Sequence, residues 1–156
     1  MGQILFFIFS LIDNGFLLLL EIYLVLLLSD LECDYLNPQE CCLRLNACVT
    51  PRLGAQFLLI SLLFISGHWW LSLSNIPLLI WFIYEKMTVP KNNSGVYDLL
   101  EIYSRNGVQK HMLKSLLNIS WLLVALSFNM YFAMQALLFE DEMQEEQLIK
   151  WNNTEY

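Results

Sequence analysis

The sequence predicts an all-α membrane protein, a four-helix transmembrane bundle with a short hairpin of helices 2 and 3 and both termini outside or luminal. Three observations carry that reading. Of the 156 residues 57% are hydrophobic, whereas a soluble domain carries about 45–50% apolar residues. The apolar residues are gathered into three long runs, and the middle run is too long for one crossing. Lysines and arginines cluster in the two polar segments between the runs. The predicted domain spans residues 1–139, with helices at about 4–28, 54–73, 76–87 and 112–139 and an acidic, mobile tail at 140–156.

The first run, Ile4 to Leu28, exceeds the roughly 20 residues of helix that cross a hydrocarbon core. It follows no basic n-region and precedes no small-residue cleavage site, so it is expected to stay in the membrane. Gly2 does not fit a myristoylation signal, because Phe6 stands where Ser or Thr is needed. At about 100° per residue, Gln3, Ser10, Asn14 and Glu21 form one stripe. Polar groups there are costly in lipid. The stripe faces either its own bundle or the transmembrane helix of another protein, and the sequence leaves both open.

The polar segment Ser29–Pro51 holds all four cysteines, Cys33, Cys41, Cys42 and Cys48. Their spacing lacks the paired grammar of a zinc site, and His68 and His111 belong to other segments. Reduced thiols are expected in a cytoplasmic loop, with palmitoylation of a juxtamembrane cysteine as the alternative. Asn37-Pro38 reads as a turn that starts a short helix.

Gly54 to Met87 would be about 50 Å long as one helix, against a core of roughly 30 Å. Pro77 supplies the expected break, within Ser72–Pro77. Gly54, Ser61, His68 and Asn75 recur at seven-residue spacing, a small and polar stripe suited to close helix packing. His68 reads as an interhelical polar residue or a proton relay, beside belt tryptophans Trp69 and Trp70. In the second polar segment, Thr88–His111, Asp98 and Glu101 form a capping-box pattern. Asn106-Gly107 reads as a stop after a short surface helix. The last run, Met112–Phe139, aligns Asn118, Ala125, Asn129 and Ala136 on one face.

Seven of the eight Lys and Arg residues lie in or beside the two polar segments. Positive residues mark the cytoplasmic side. Both segments can be cytoplasmic only if the chain crosses an even number of times between them, which favours four helices over three. The sequons at Asn92 and Asn152 distinguish the two: four helices leave Asn152 open to glycosylation and Asn92 closed.

Composition also excludes classes. The net charge of −7 is concentrated near the C-terminus, and no basic patch suits nucleic acid. Asp13 and Glu21 are the one carboxylate pair available for acid–base work. No nucleophile, metal-ligand set or phosphate-cradling loop accompanies them. The sequence therefore predicts no enzyme, no metal and no cofactor. It leaves membrane lipid as a contact and homo-oligomers open.

The run Asp30-Leu31-Glu32, Asp34-Tyr35, Asn37-Pro38, then Cys42 and Leu45-Asn46, resembles the first signature of the cornichon family. Trp69, Asn75, Pro77 and Leu78, and then Tyr97-Asp98 with Glu101-Ile102-Tyr103, are similar to its later ones. The resemblance covers residues 1–138 in the same order and spacing. It implies a four-helix protein of the endoplasmic reticulum membrane, cycling to the Golgi. Its partners would be transmembrane cargo proteins and COPII coat subunits. Some animal members also serve as auxiliary subunits of glutamate receptor channels, so modulation of a channel or transporter is the alternative. Asn14 and Glu21, with His68, Asn118 and Asn129, are the expected cargo residues. Ile102, Tyr103 and Arg105 are the expected coat residues, where the family's fungal coat motif begins Ile-Phe and ends in leucine. Here the arginine is displaced by one and the leucine is absent.

Overall fold

The computed structural model describes residues 2–89 and 95–154. All regular structure among them is helical: α1 (Gly2–Glu32), α2 (Pro38–Ile65), α3 (Trp69–Met87), α4 (Leu99–Tyr103) and α5 (Arg105–Thr154). Among the described residues three stretches are long and apolar enough to cross a membrane, Ile4–Glu32, Pro38–Ile65 and Asn106–Phe139.

α1 ends in a Schellman motif, in which Tyr35 N–H donates to Asp30 O at 2.9 Å and Asp34 N–H to Leu31 O at 3.2 Å. Asp34 takes the left-handed conformation that this motif requires, at φ 59°, a role Asp fills more easily than most non-glycine residues. Four residues later α2 begins. Asn37 caps it through Oδ1, which accepts from Gln39 N–H at 3.2 Å, and Pro38 opens its first turn. Asp34, Asn37 and Pro38 are thus a stop and a start, separated by the exposed Tyr35 and by Leu36.

Several sequence expectations give way here. The short helix expected after Asn37 is the beginning of a helix that runs through Pro51 to Ile65. Buried Val49 and Arg52 hold the chain helical around Pro51, whose own ring is exposed. The α2–α3 turn lies at Ser66–His68, not Ser72–Pro77. His68 N–H donates to Leu63 O and Gly67 N–H to Phe64 O, with Gly67 at φ 79°. Glycine reaches that conformation without a Cβ clash, so it outcompetes Pro77 as the breaker, and Pro77 sits exposed inside α3. Gly107 is not a stop either. It lies in the first turn of α5, where a Cβ would run into the backbone carbonyl of Glu101, so glycine lets α5 start directly against α4. Asp98 makes no side-chain cap bond. α5 has 50 residues and continues as helix beyond Phe139 through Thr154, where the sequence suggested a mobile tail.

α1 packs against both α2 and α5, α3 folds back on α2, and α4 rests on α5 and α2. Two apolar cores result. One joins Phe7, Leu17, Leu59, Leu63, Leu71, Leu78, Phe82 and Leu122. The other joins Leu24, Leu28 and Leu31 with Cys41, Cys42, Leu45, Tyr97 and Ile102. Along α1 the first ends at Leu17 and the second begins at Leu24, so Glu21 stands between them.

Candidate functional site

The layer between the cores is charged. Arg52, 2% exposed, and Glu21, fully buried, pair at 2.9 Å through Nη1 and Oε1. The other arm of the guanidinium, Nη2, reaches Glu85 Oε2 at 2.8 Å, and Phe82 lies under the guanidinium carbon at 4.2 Å. Lys114 Nζ approaches the second Glu85 oxygen at 3.6 Å. Asn118 Nδ2 donates to Glu21 Oε1 at 3.5 Å. Two cations therefore face two carboxylates. An unpaired buried charge costs several kcal/mol, and a planar fork that satisfies two carboxylates offsets much of that cost. One point thereby joins α1, α2, α3 and α5.

Above this layer lies a clasp. Asn46 of α2 binds the Tyr97 peptide on both sides: Tyr97 N–H donates to Oδ1 at 2.9 Å, and Nδ2 donates to Tyr97 O at 3.0 Å. Gly95 makes room, since a Cβ there would stand 2.5 Å from the Asn46 side chain. The Tyr97 ring is buried and faces His111 at 4.9 Å between ring centroids. Burial pushes its phenol above the usual range, against the opposing pull of Arg52, so the hydroxyl stays neutral. The first and second polar segments thus form one surface.

The structure gathers four of the five expected cargo residues. Asn14, Glu21, Asn118 and Asn129 are all buried between α1 and α5. Glu21 meets Asn118 at one end of the seam, and His68 bridges Phe7 of α1 and Phe132 of α5 at the other, at 4.5 and 6.0 Å. Moving down α1 from Glu21 and up α5 from Asn118 by equal steps puts Asn14 opposite Ala125 and Ser10 opposite Asn129. Among the described residues neither amide, Asn14 or Asn129, has a hydrogen-bond partner. His68 is half-buried at the hairpin turn, and its Nδ1 lies 3.0 Å from Ser66 O. Of the expected coat residues, Ile102 is 2% exposed, packed into the second core rather than presented outward. The side chains of Tyr103, Arg105 and Asn152, and the Asn92 sequon, lie outside the described residues.

The remaining signature residues have structural tasks. Cys42 fills the second core. Asn75 is buried, donates from Nδ2 to Leu71 O at 2.9 Å, and offers its carbonyl to Gln56 Nε2 at 3.3 Å, tying α3 to α2. Trp69 is exposed and stacks on Phe64 at 5.5 Å. All four cysteines are free thiols, Cys33 exposed and Cys41 and Cys42 buried. Among the described residues no three His, Cys, Asp or Glu side chains converge as a metal site.

Sequence reading counted Arg52 and Lys114 only as topology markers and gave Glu85 no role. The signal for their role was Glu21 itself, because a carboxylate in an apolar run calls for a cation. Nothing local in the sequence revealed the Asn46–Tyr97 clasp, whose members are 51 residues apart.

Comparison with known proteins follows this layout. The Cornichon protein family model matches residues 4–131. The chain is 31% identical over 136 residues to the ER-derived vesicles protein erv14 of Schizosaccharomyces pombe, covering 87% of this chain and 94% of the relative. It is 30% identical over 135 residues to the ER-derived vesicles protein ERV15 of Saccharomyces cerevisiae, covering 86% and 91%. To the protein cornichon of Drosophila melanogaster it is 26% identical over 133 residues, covering 85% and 92%.

Proposed function

Because the chain belongs to the cornichon family, we propose that it is a cargo receptor of the endoplasmic reticulum membrane. In this role it selects transmembrane clients and links them to the COPII coat for transport to the Golgi, with no catalysis of its own. The Asn46–Tyr97 clasp carries this reading. It joins the two cation-bearing segments into one platform, and a coat adaptor needs such a platform on the cytoplasmic side.

The same clasp supports a topology of four crossings with luminal termini, since both polar segments then lie at one end of the bundle. With 19 residues, α3 is about 28 Å long, close to the hydrocarbon thickness. Its last turn carries Glu85 and Lys86, suited to the interface.

Within this reading the α1–α5 seam is the cargo site. Among the described residues the amides of Asn14 and Asn129 lack partners there. A polar group on a client helix entering between α1 and α5 would satisfy them. Glu21 and Asn118 would hold the closed end and His68 the open one. Ile102 anchors the coat-facing segment from within, leaving Tyr103 and Arg105 as its contact residues.

Reconstituted vesicle budding tests the coat assignment. Tyr103→Ala with Arg105→Ala is expected to lower packaging of the receptor itself, and unchanged packaging would reject it. A survey of membrane proteins that stall in the endoplasmic reticulum on removal of this protein identifies the clients. Clients that instead leave normally and gate differently at the cell surface would favour the channel-subunit role.

A further inference from the structure

A recess of mixed polar and apolar lining opens at the level of the charge layer, between the C-terminal end of α3, α4 and the first turns of α5. Trp81, Tyr84, Glu85, Glu101, His111 and Lys114 line it. Its floor is His111, 5% exposed, and among the described residues neither ring nitrogen has a hydrogen-bond partner. Glu101 Oε1 lies 3.7 Å from its Nε2, close enough for charge but beyond a hydrogen bond. Lys114 stands at the rim, about two-fifths exposed, with Nζ 5.9 Å over the Trp81 ring. Trp81 and Tyr84 are themselves exposed, their rings 6.4 Å apart.

The charges in this recess are not all engaged alike. Arg52 holds one Glu85 oxygen at 2.8 Å and matches that carboxylate from within. Lys114, whose Nζ lies 3.6 Å from the second Glu85 oxygen, and Glu101 are the more exposed charges of this lining, one of each sign, with an unfilled imidazole beside them. A zwitterion carrying a phosphate and a cation complements that set. Glu101 selects among cations. A carboxylate accepts hydrogen bonds from a primary ammonium, whereas a quaternary ammonium donates none and calls for an open aromatic cage. Here Lys114 already covers the Trp81 face. A headgroup with no cation would leave Glu101 facing a phosphate of the same sign.

The geometry points to a binding site for an ethanolamine phospholipid headgroup. Its phosphate oxygens accept from Lys114 Nζ and a His111 ring N–H, and its ammonium donates to Glu101. Its glycerol and acyl chains pass over Trp81 and Tyr84, ring types suited to the membrane interface. A soluble phosphoethanolamine compound shares the headgroup chemistry but not the chains.

Native mass spectrometry on the full chain, delipidated in detergent and offered ethanolamine, choline and glycerol phospholipids at equal concentration, tests this assignment. Ethanolamine lipid is expected to be retained at least about tenfold over choline lipid, the scale of one lost charge-assisted hydrogen bond. Glu101→Gln should abolish that preference without moving the unfolding temperature, because Glu101 is half exposed. Lys114→Gln should lower retention of all three lipids. If Lys114→Gln unfolds the protein, Glu101→Gln alone decides. Equal retention of the three classes, or a preference that survives Glu101→Gln, overturns the site. Displacement by soluble glycerophosphoethanolamine at matched concentration overturns its assignment to a lipid.

Discussion

Arg52 and Glu21 lie 2.9 Å apart at the boundary between the two apolar cores, both shielded from solvent. Each makes the other tolerable, and through Glu85 the pair also fixes α3 against α2. Glu21→Ala should therefore leave a buried guanidinium half-satisfied and destabilise the bundle by about 3–5 kcal/mol, the usual consequence of breaking a buried pair. Removing Arg52 as well, as Arg52→Met with Glu21→Met, should recover part of that loss. Unfolding in mixed detergent micelles measures both. A Glu21→Ala protein as stable as the parent would contradict the pairing.

The clasp is held by two hydrogen bonds on one side chain and by the missing Cβ of Gly95. Asn46→Ala should cost about 1–3 kcal/mol, because it strands a buried peptide N–H and C=O. It should also speed proteolytic cleavage near Gly95. Gly95→Ala should have the same effect by pushing Asn46 away. Cleavage rates matching the parent in both variants would count against the joined platform.

Ile102 is a core residue before it is anything else. Ile102→Ala should lower stability by about 2–5 kcal/mol, while Leu100→Ala, at an exposed position of the same helix, should change it by under about 0.5 kcal/mol. A budding defect in Ile102→Ala therefore has to be compared with its folded fraction. If Ile102→Ala and Leu100→Ala unfold at the same temperature, the buried placement is wrong.

Tyr97 gives a pH signature. Its phenol is raised by burial, so the neutral form is the one the fold accepts. The associated stability is complete below the ordinary tyrosine value near 10 and is lost as pH climbs above it. Unfolding temperatures compared at pH 8 and pH 11 should fall further for the parent than for Tyr97→Phe. Identical falls would remove Tyr97 from the buried layer.

Topology has its own readout. Four crossings with luminal termini predict a glycan on Asn152 and none on Asn92, read as a mobility shift reversed by deglycosylation in endoplasmic reticulum membranes. Modification of Asn92 with an unmodified Asn152 would require the two polar segments to lie on opposite sides.

The sequence by itself determined that the chain is helical and membrane-embedded, because runs of this length and apolarity have no other low-energy arrangement in lipid. It also located the start of α2, since Asn37 and Pro38 act through local backbone geometry, and it singled out the seam residues by their helical spacing. The tertiary structure decided what local chemistry could not. Pro77 read as a breaker but lies inside a helix, as Pro51 does, because packing on either side outweighs one lost backbone bond. Ile102 read as a displayed motif but is buried, because a five-residue helix must bury one face to persist. Arg52 and Glu21, 31 residues apart, became one unit only when two long helices brought both into a place water does not reach.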